Sequence, residues 1–216
     1  YYIHPESEEL VNWNELTNLY DEELSFVDFM IGDLFASMKR AGLENSCFII
    51  TSDHGEMLGE HGLAGHVWGL YNELIHIPLI IKCPELGLRQ VIETPVQLHD
   101  LYATILELAD VPYPAPEDSV SLCASAKRKI AVCEDTDADY YHAQFKIKNP
   151  HHNYTSPWAF PCYATINNEL IKTIVTSSGY REVYNLKADY GETSSLDNLS
   201  CAASEGNSAR AADTFS

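Results

Sequence analysis

The chain has 216 residues, 45% of them apolar and 21% charged, which fits one globular domain and excludes a disordered segment. Its 13 basic and 32 acidic side chains give a net charge of −19. Such a surface repels a phosphate backbone, and the single basic cluster, Lys127-Arg128-Lys129, does not offset it, so the composition argues against nucleic-acid binding. The longest apolar run, Ile75 to Lys82, is interrupted by His76 and Pro78 and falls far short of the roughly 20 residues of a membrane-spanning helix.

The opening residues, Tyr1-Tyr2-Ile3-His4-Pro5, include no Met and no signal peptide, as expected of a segment that begins inside a longer protein, and they carry no reading of compartment. Over residues 15–40, Leu16, Leu19, Val27, Met30, Ile31, Leu34, Phe35 and Met38 recur at helical spacing, which predicts an amphipathic helix with these residues inward. Acids crowd its first half, Lys39-Arg40 end it, and Gly42 stops it. Cys47-Phe48-Ile49-Ile50-Thr51 is an uninterrupted apolar run, read as a strand buried on both faces in a parallel sheet. A loop to about residue 71 follows, then a second strand over residues 75–81, with Pro78 favouring a strand start or an edge. Residues 95–109 predict a second amphipathic helix with Val96, Leu98, Leu101, Ile105 and Leu108 inward.

Beyond Pro116 a short strand is predicted at 129–134 and a loop over 135–161. Two strands flank Asn167-Asn168-Glu169, a hairpin signal, and residues 181–184 add a third. The expected organisation is an α/β portion over residues 1–116, a small antiparallel subdomain over 117–200 and a flexible tail over 201–216. No two of the six cysteines lie at C-x-x-C spacing, which argues against a zinc knuckle; Cys47 and Cys83 read as buried thiols. Asn153-Tyr154-Thr155 and Asn198-Leu199-Ser200 are glycosylation sequons.

The chemistry concentrates in residues 51–66. Ligands of open α/β sheets bind beyond the carboxyl ends of strands, where Asp53 and His54 stand. A carboxylate beside an imidazole is half of a divalent-cation site, with Gly55 turning the backbone away. His61 and His66 add two imidazoles in the same loop. The competing reading is an ordinary Asx turn. Tyr71 and Glu73 read as braces for the loop, His76 as a half-buried strand residue or cleft wall, and Asp100 as a first-turn acid favourable to the helix dipole. His151-His152 read as solvated.

Several blocks in this order resemble the sulfatase family of the alkaline-phosphatase-like superfamily. They are Tyr20-Asp21-Glu22-Glu23 with Ile31-Gly32, Ile50-Thr51-Ser52-Asp53-His54-Gly55, Gly65-His66, Leu70-Tyr71-Asn72-Glu73, His76-Ile77-Pro78-Leu79, Pro95-Val96-Gln97-Leu98-His99-Asp100, and the ending Val183-Tyr184-Asn185-Leu186 to Thr193. The resemblance implies a mixed sheet flanked by helices with a small C-terminal antiparallel subdomain, and hydrolysis of sulfate esters by a formylglycine nucleophile beside a divalent cation, calcium first, with manganese or zinc as alternatives. Carried over, Asp53 and His54 are metal ligands. His66 contacts the sulfate or the leaving oxygen as a general acid or electrostatic clamp, and His61 lines the substrate site. The implied substrate is a sulfated small molecule or carbohydrate.

The family's nucleophile motif, Cys or Ser, any residue, Pro or Ala, Ser or Ala, then Arg, does not occur. The nearest stretch, Cys123-Ala124-Ser125-Ala126-Lys127, ends in Lys. The family's N-terminal Asp pair is also missing, so the chain is expected to be a C-terminal portion with the N-terminal half absent, inactive by itself. His54 stands where many arylsulfatases have Asn, as in phosphonate monoester and phosphodiester hydrolases of the superfamily. A phosphonate or phosphate-ester hydrolase and a non-catalytic binding module are the alternative readings.

Overall fold

The first described element is a 28-residue helix, α1, Trp13–Arg40. The computed structural model describes residues 12–84, 91–112, 114, 116–123, 128–148, 150 and 157–197. Both sequons, His151-His152, Lys127, Cys201 and the tail over 201–216 lie outside them. Asn12 caps α1, its side chain accepting from Glu15 N–H at 3.2 Å. At the other end Gly42 adopts φ +72 and Leu43 N–H reaches back to Met38 O at 2.9 Å, a glycine-terminated stop. The expected burial fails: no residue of α1 is buried, and Leu19, Val27, Met30 and Leu34 are all exposed, with Phe29 at 68%. Only part of the apolar stripe is covered: Leu16, Ile31, Phe35 and Met38 are half-buried, with Phe35 edge-on to Phe48 at 4.9 Å.

Strands β1 (Phe48–Thr51) and β4 (Leu79–Lys82) pair antiparallel, Phe48 opposite Lys82 and Thr51 opposite Leu79. The expected parallel arrangement is therefore corrected, and both strands are half-buried, not covered on both faces. The second predicted strand is shorter than its apolar run. Asn72–Ile75 is a helical turn, α2, and the strand begins just after Pro78, whose missing N–H keeps it out of the ladder. Between them, β2 (Met57–Leu58) and β3 (Ala64–Gly65) form a small hairpin whose tip is a 3₁₀ turn over Glu60–Gly62.

Helix α3, Asp100–Leu108, starts later than predicted and buries a different face. Asp100, Ala103 and Thr104 are buried; of the residues expected inward, Val96, Leu101 and Leu108 are half-buried while Leu98 and Ile105 are exposed. Asp100 is a buried hub, not merely a dipole acid: Arg128 pairs with its carboxylate, which also accepts from Gln97 N–H and Val120 N–H, each at 2.8 Å.

The C-terminal sheet is four antiparallel strands in the order β5-β6-β7-β8: Ile130–Asp135, Cys162–Asn167, Ile171–Thr176 and Arg181–Asn185. The β6–β7 turn forms where predicted. The Asn167 side chain accepts from the N–H groups of Glu169 and Ile171, each at 3.0 Å, which lets Leu170 sit at φ +61. A helix, α4 (Ala138–Lys148), occupies part of the stretch read as loop. Cys47 is exposed and Cys83 half-buried, so neither is a buried thiol; Cys162 is.

The core lies where residues 57–74 meet the inner face of this sheet. Met57, Leu63, Trp68, Leu70, Tyr71 and Leu74 pack on Trp158, Cys162, Ala164, Ile174 and Tyr184. Each large apolar side chain buried there contributes about 1.5–3 kcal/mol. Inward positions alternate along the strands, and Lys172 and Glu182 take two of them.

Candidate functional site

Asp53 and His54 sit just past β1, and the chain is held there by a close backbone approach. Gly55 N–H donates to Leu74 O at 2.8 Å, and a Cβ on Gly55 would lie 1.9 Å from Glu73 O. Glycine is needed for that contact; Gly55 is not among the residues with positive φ, so the expected sharp turn is not its reason. Asp53 Oδ1 accepts the His54 N–H at 3.0 Å, and this bond is the main cause that holds the Asp53 carboxyl below its ordinary value. His54 Nδ1 lies 2.9 Å from Gly55 O. A carbonyl only accepts, so Nδ1 carries the proton and Nε2 keeps its lone pair. That nitrogen is 3.7 Å from Asp53 Oδ2.

This arrangement suits a cation. Two atoms each about 2.4 Å from one ion, at roughly a right angle, lie about 3.4 Å apart. The backbone carbonyl on the far ring nitrogen is the usual support of a ligating histidine. Two ligands do not complete a coordination shell, so further donors must join them.

The β2–β3 hairpin carries the loop's other imidazoles. Met57 pairs with Gly65 and Leu58 with Ala64, so the same register sets Glu56 opposite His66. The two side chains meet at that position, His66 Nδ1 lying 2.9 Å from Glu56 Oε2. The rings of His54 and His66 stack with centroids 4.4 Å apart and planes at 24°. Asp53, His54 and His66 line one open cleft of about 950 Å³, together with His76, Asp135 and Tyr190.

His61 is placed elsewhere. At the hairpin tip, in left-handed backbone (φ +55), it lays its ring flat on Tyr71 at 3.6 Å, and it is not among the residues lining the cleft. Its Nε2 is 3.5 Å from Glu73 Oε2. Burial, with Glu182 alongside, raises the Tyr71 phenol far above its ordinary value, so it stays neutral and donates to Glu182 at 2.9 Å. Among the described residues two groups of side chains lie close enough to share an ion, His54 with Glu56 and His66, and His61 with Glu73 and Glu192; at the latter the Lys172 ammonium lies 2.6 Å from Glu192 Oε1 and already supplies the positive charge.

Tyr71 thus belongs to the core and Glu73 lies half-buried beside His61. His76 caps α2 at its C-terminal end, shares a hydrogen bond with Tyr190 and lines the cleft. Glu56 was missed in the sequence. The signal was the run Glu56 to His66, which as a hairpin pairs its ends. The buried Lys172–Glu192 pair had no local signal, since its partners are 20 residues apart and meet only in the fold.

Comparison with known proteins points to one family over much of the chain. The family model described as Sulfatase matches residues 4–111. The uncharacterized sulfatase YidJ of Escherichia coli K12 is 31% identical over 171 residues, covering 79% of this chain and 32% of that protein. Arylsulfatase K of Bos taurus is 27% identical over 190 residues, covering 79% and 33%. Among solved structures, one in complex with its substrate D-glucosamine-2-N,6-O-disulfate superimposes with a TM-score of 0.57 at 22% identity, covering 79% of this chain and 34% of that one. The phosphonate monoester hydrolase of Agrobacterium radiobacter gives a TM-score of 0.60 at 20% identity, covering 79% and 34%. These likenesses show the α/β fold of the alkaline-phosphatase-like proteins, with its C-terminal antiparallel sheet. The chain spans about a third of the length of the curated relatives it matches.

Proposed function

The chain belongs to the sulfatase family, and on that premise we propose that it forms the cation-holding and leaving-group side of a sulfate-ester hydrolase site. The observation that carries the reading is the pairing of Asp53 Oδ2 and His54 Nε2, 3.7 Å apart, with the His54 tautomer fixed by Gly55 O. The divalent cation of the family, calcium in this reading with manganese or zinc as alternatives, would be held by these atoms and by donors outside the chain. Once bound it offsets the negative charge of the sulfate oxygens as a Lewis acid.

The chain's own residues orient and exchange protons. His66 lines the cleft beside His54 with Nδ1 held by Glu56, which leaves Nε2 facing the cleft; only with a second proton bound there would Nε2 donate to the leaving oxygen or to a sulfate oxygen. His61 supports the hairpin from its tip. In this reading residues 1–116 belong to the α/β domain and 117–200 to the C-terminal subdomain. The formylglycine nucleophile is supplied by sequence outside the chain, because the motif that yields it does not occur here. The 216 residues by themselves are therefore inactive, and the substrate is a sulfated small molecule or carbohydrate.

The test is the rate of the full-length protein carrying this chain on an aryl sulfate and on the matching aryl phosphonate, each with and without added calcium. Preference for the sulfate, with dependence on the cation, is expected. Preference for the phosphonate would transfer the site to the other branch of the superfamily, and no turnover of either would leave a binding module.

A further inference from the structure

We propose that Glu56 is a positioning residue for His66, fixing its tautomer and ring orientation so that Nε2 is presented to the cleft; the catalytic meaning of this dyad rests on the sulfatase reading above, but the dyad does not. Three independent features of the fold converge on it. The first is register. Met57 pairs with Gly65 and Leu58 with Ala64, so Glu56 and His66 are the next opposed pair at the open end of the hairpin. Opposed side chains at such a position are the ones that interact across two strands. The second is anchoring. Gly55, next to Glu56, is locked to Leu74 O and has no room for a Cβ, which fixes the backbone from which the Glu56 side chain leaves. The third is the contact itself, 2.9 Å between Glu56 Oε2 and His66 Nδ1, with the Glu56 side chain only 28% exposed.

The chemistry follows from the partner. An ionised carboxylate only accepts hydrogen bonds, so the Nδ1 of His66 must be the protonated nitrogen. A histidine side chain free in water prefers the proton on Nε2, so Glu56 selects the minor tautomer. Stacking on His54 fixes the remaining rotation of the ring. The neutral ring then offers a lone pair at Nε2. A proton bound at that nitrogen is the one that would pass to a leaving oxygen. Without Glu56, the ring could turn about its χ2 angle and present either nitrogen.

Selective ¹⁵N labelling of histidine in the full-length protein reads this tautomer directly, at a pH where the ring is neutral. The expected spectrum shows His66 protonated at Nδ1 in the unaltered protein and moving to the Nε2–H form in Glu56→Ala, with Glu56→Gln, which keeps an acceptor oxygen, retaining much of the Nδ1–H form. The amide signals of Met57 and Gly65 show whether the hairpin survives each change. A His66 ring protonated at Nε2 in the unaltered protein, or an Nδ1–H form unchanged in Glu56→Ala with the hairpin intact, would overturn the proposal. Kinetics of the same variants test its catalytic part. Loss of such a supporting partner costs about 10–100-fold in activity, and it should fall on kcat more than on KM, with partial recovery in Glu56→Gln. A tautomer that behaves as stated in a protein with no sulfate-ester turnover would overturn the sulfatase reading and leave the dyad standing. Intact turnover in Glu56→Ala despite a switched tautomer would refute the positioning role.

Discussion

The ammonium of Lys172 lies 2.6 Å from Oε1 of Glu192, and both side chains are fully buried. The pair joins β7 to the start of α2, because Glu192 Oε2 accepts the Asn72 N–H at 2.6 Å and Lys172 donates to Asn72 Oδ1 at 3.3 Å. Burial pulls the Lys172 ammonium below its ordinary value and pushes the Glu192 carboxyl above its own, the signature of charges that depend on each other for solvation.

Removing one member should therefore cost more than removing both. Lys172→Met is expected to destabilise the protein by about 3–5 kcal/mol, the usual cost of stranding a buried charge. The double variant Lys172→Met with Glu192→Gln should lose less than that single change. Denaturant midpoints measure both, and simple additivity of the two single effects would refute the coupling.

The second prediction concerns acid. Burial tends to raise the Asp100 carboxyl, but Arg128 and the N–H groups of Val120 and Gln97 outweigh it and hold it below its ordinary value of 3.8. A carboxyl lowered by folding contributes stability that is complete above its unfolded value and lost as pH falls through the folded one. Stability should thus fall below about pH 4, the unfolded carboxylate range. Asp100→Asn should be less stable at neutral pH and show a shallower acid loss, as read by thermal melts across pH. Parallel acid profiles for the two proteins would contradict this.

Gly55→Ala is the third. Its Cβ would lie 1.9 Å from a backbone oxygen that cannot rotate away, so the loop holding Asp53 and His54 must shift. Overpacking of this kind costs about 1–3 kcal/mol. Cation affinity, measured by calorimetry, should drop with it; unchanged affinity would mean that the loop is not held by this contact.

The fourth follows from α1. A helix of 28 residues with no buried side chain and with Leu19, Phe29 and Leu34 exposed presents an apolar surface that water does not favour. The 216 residues expressed by themselves should self-associate and bind an apolar dye, and show no sulfate-ester turnover. A monodisperse, dye-free chain would contradict the first part, and turnover the second.

Elements whose residues interact locally were legible. The period of α1, its Gly42 stop and the Asn167 turn all act within a few residues, and each formed where expected. Helix α4 escaped because its apolar residues, Tyr140, Tyr141, Phe145 and Ile147, are spread around the axis and make no stripe. The antiparallel β1–β4 pairing was invisible for another reason: an apolar run marks a strand but not the direction of its neighbour. The inward face of α3 was misread because Asp100 and Thr104 are buried through hydrogen bonds, which hydrophobicity does not report. At the site, Asp53, His54 and His66 stand out by residue type, whereas Glu56 gains its role only from the hairpin register.

The most direct test of the account is the dependence of turnover on leaving-group pKa for aryl sulfates, measured for the full-length protein and its His66→Ala variant. With Asp53 and His54 holding the cation and His66 acting on the leaving oxygen, the variant should be slower by about 10²–10⁴-fold. The loss should be largest for the poorest leaving groups, because a good leaving group departs without a proton. A dependence on leaving-group pKa identical in the two proteins would contradict the acid role and leave His66, at most, a residue that binds sulfate.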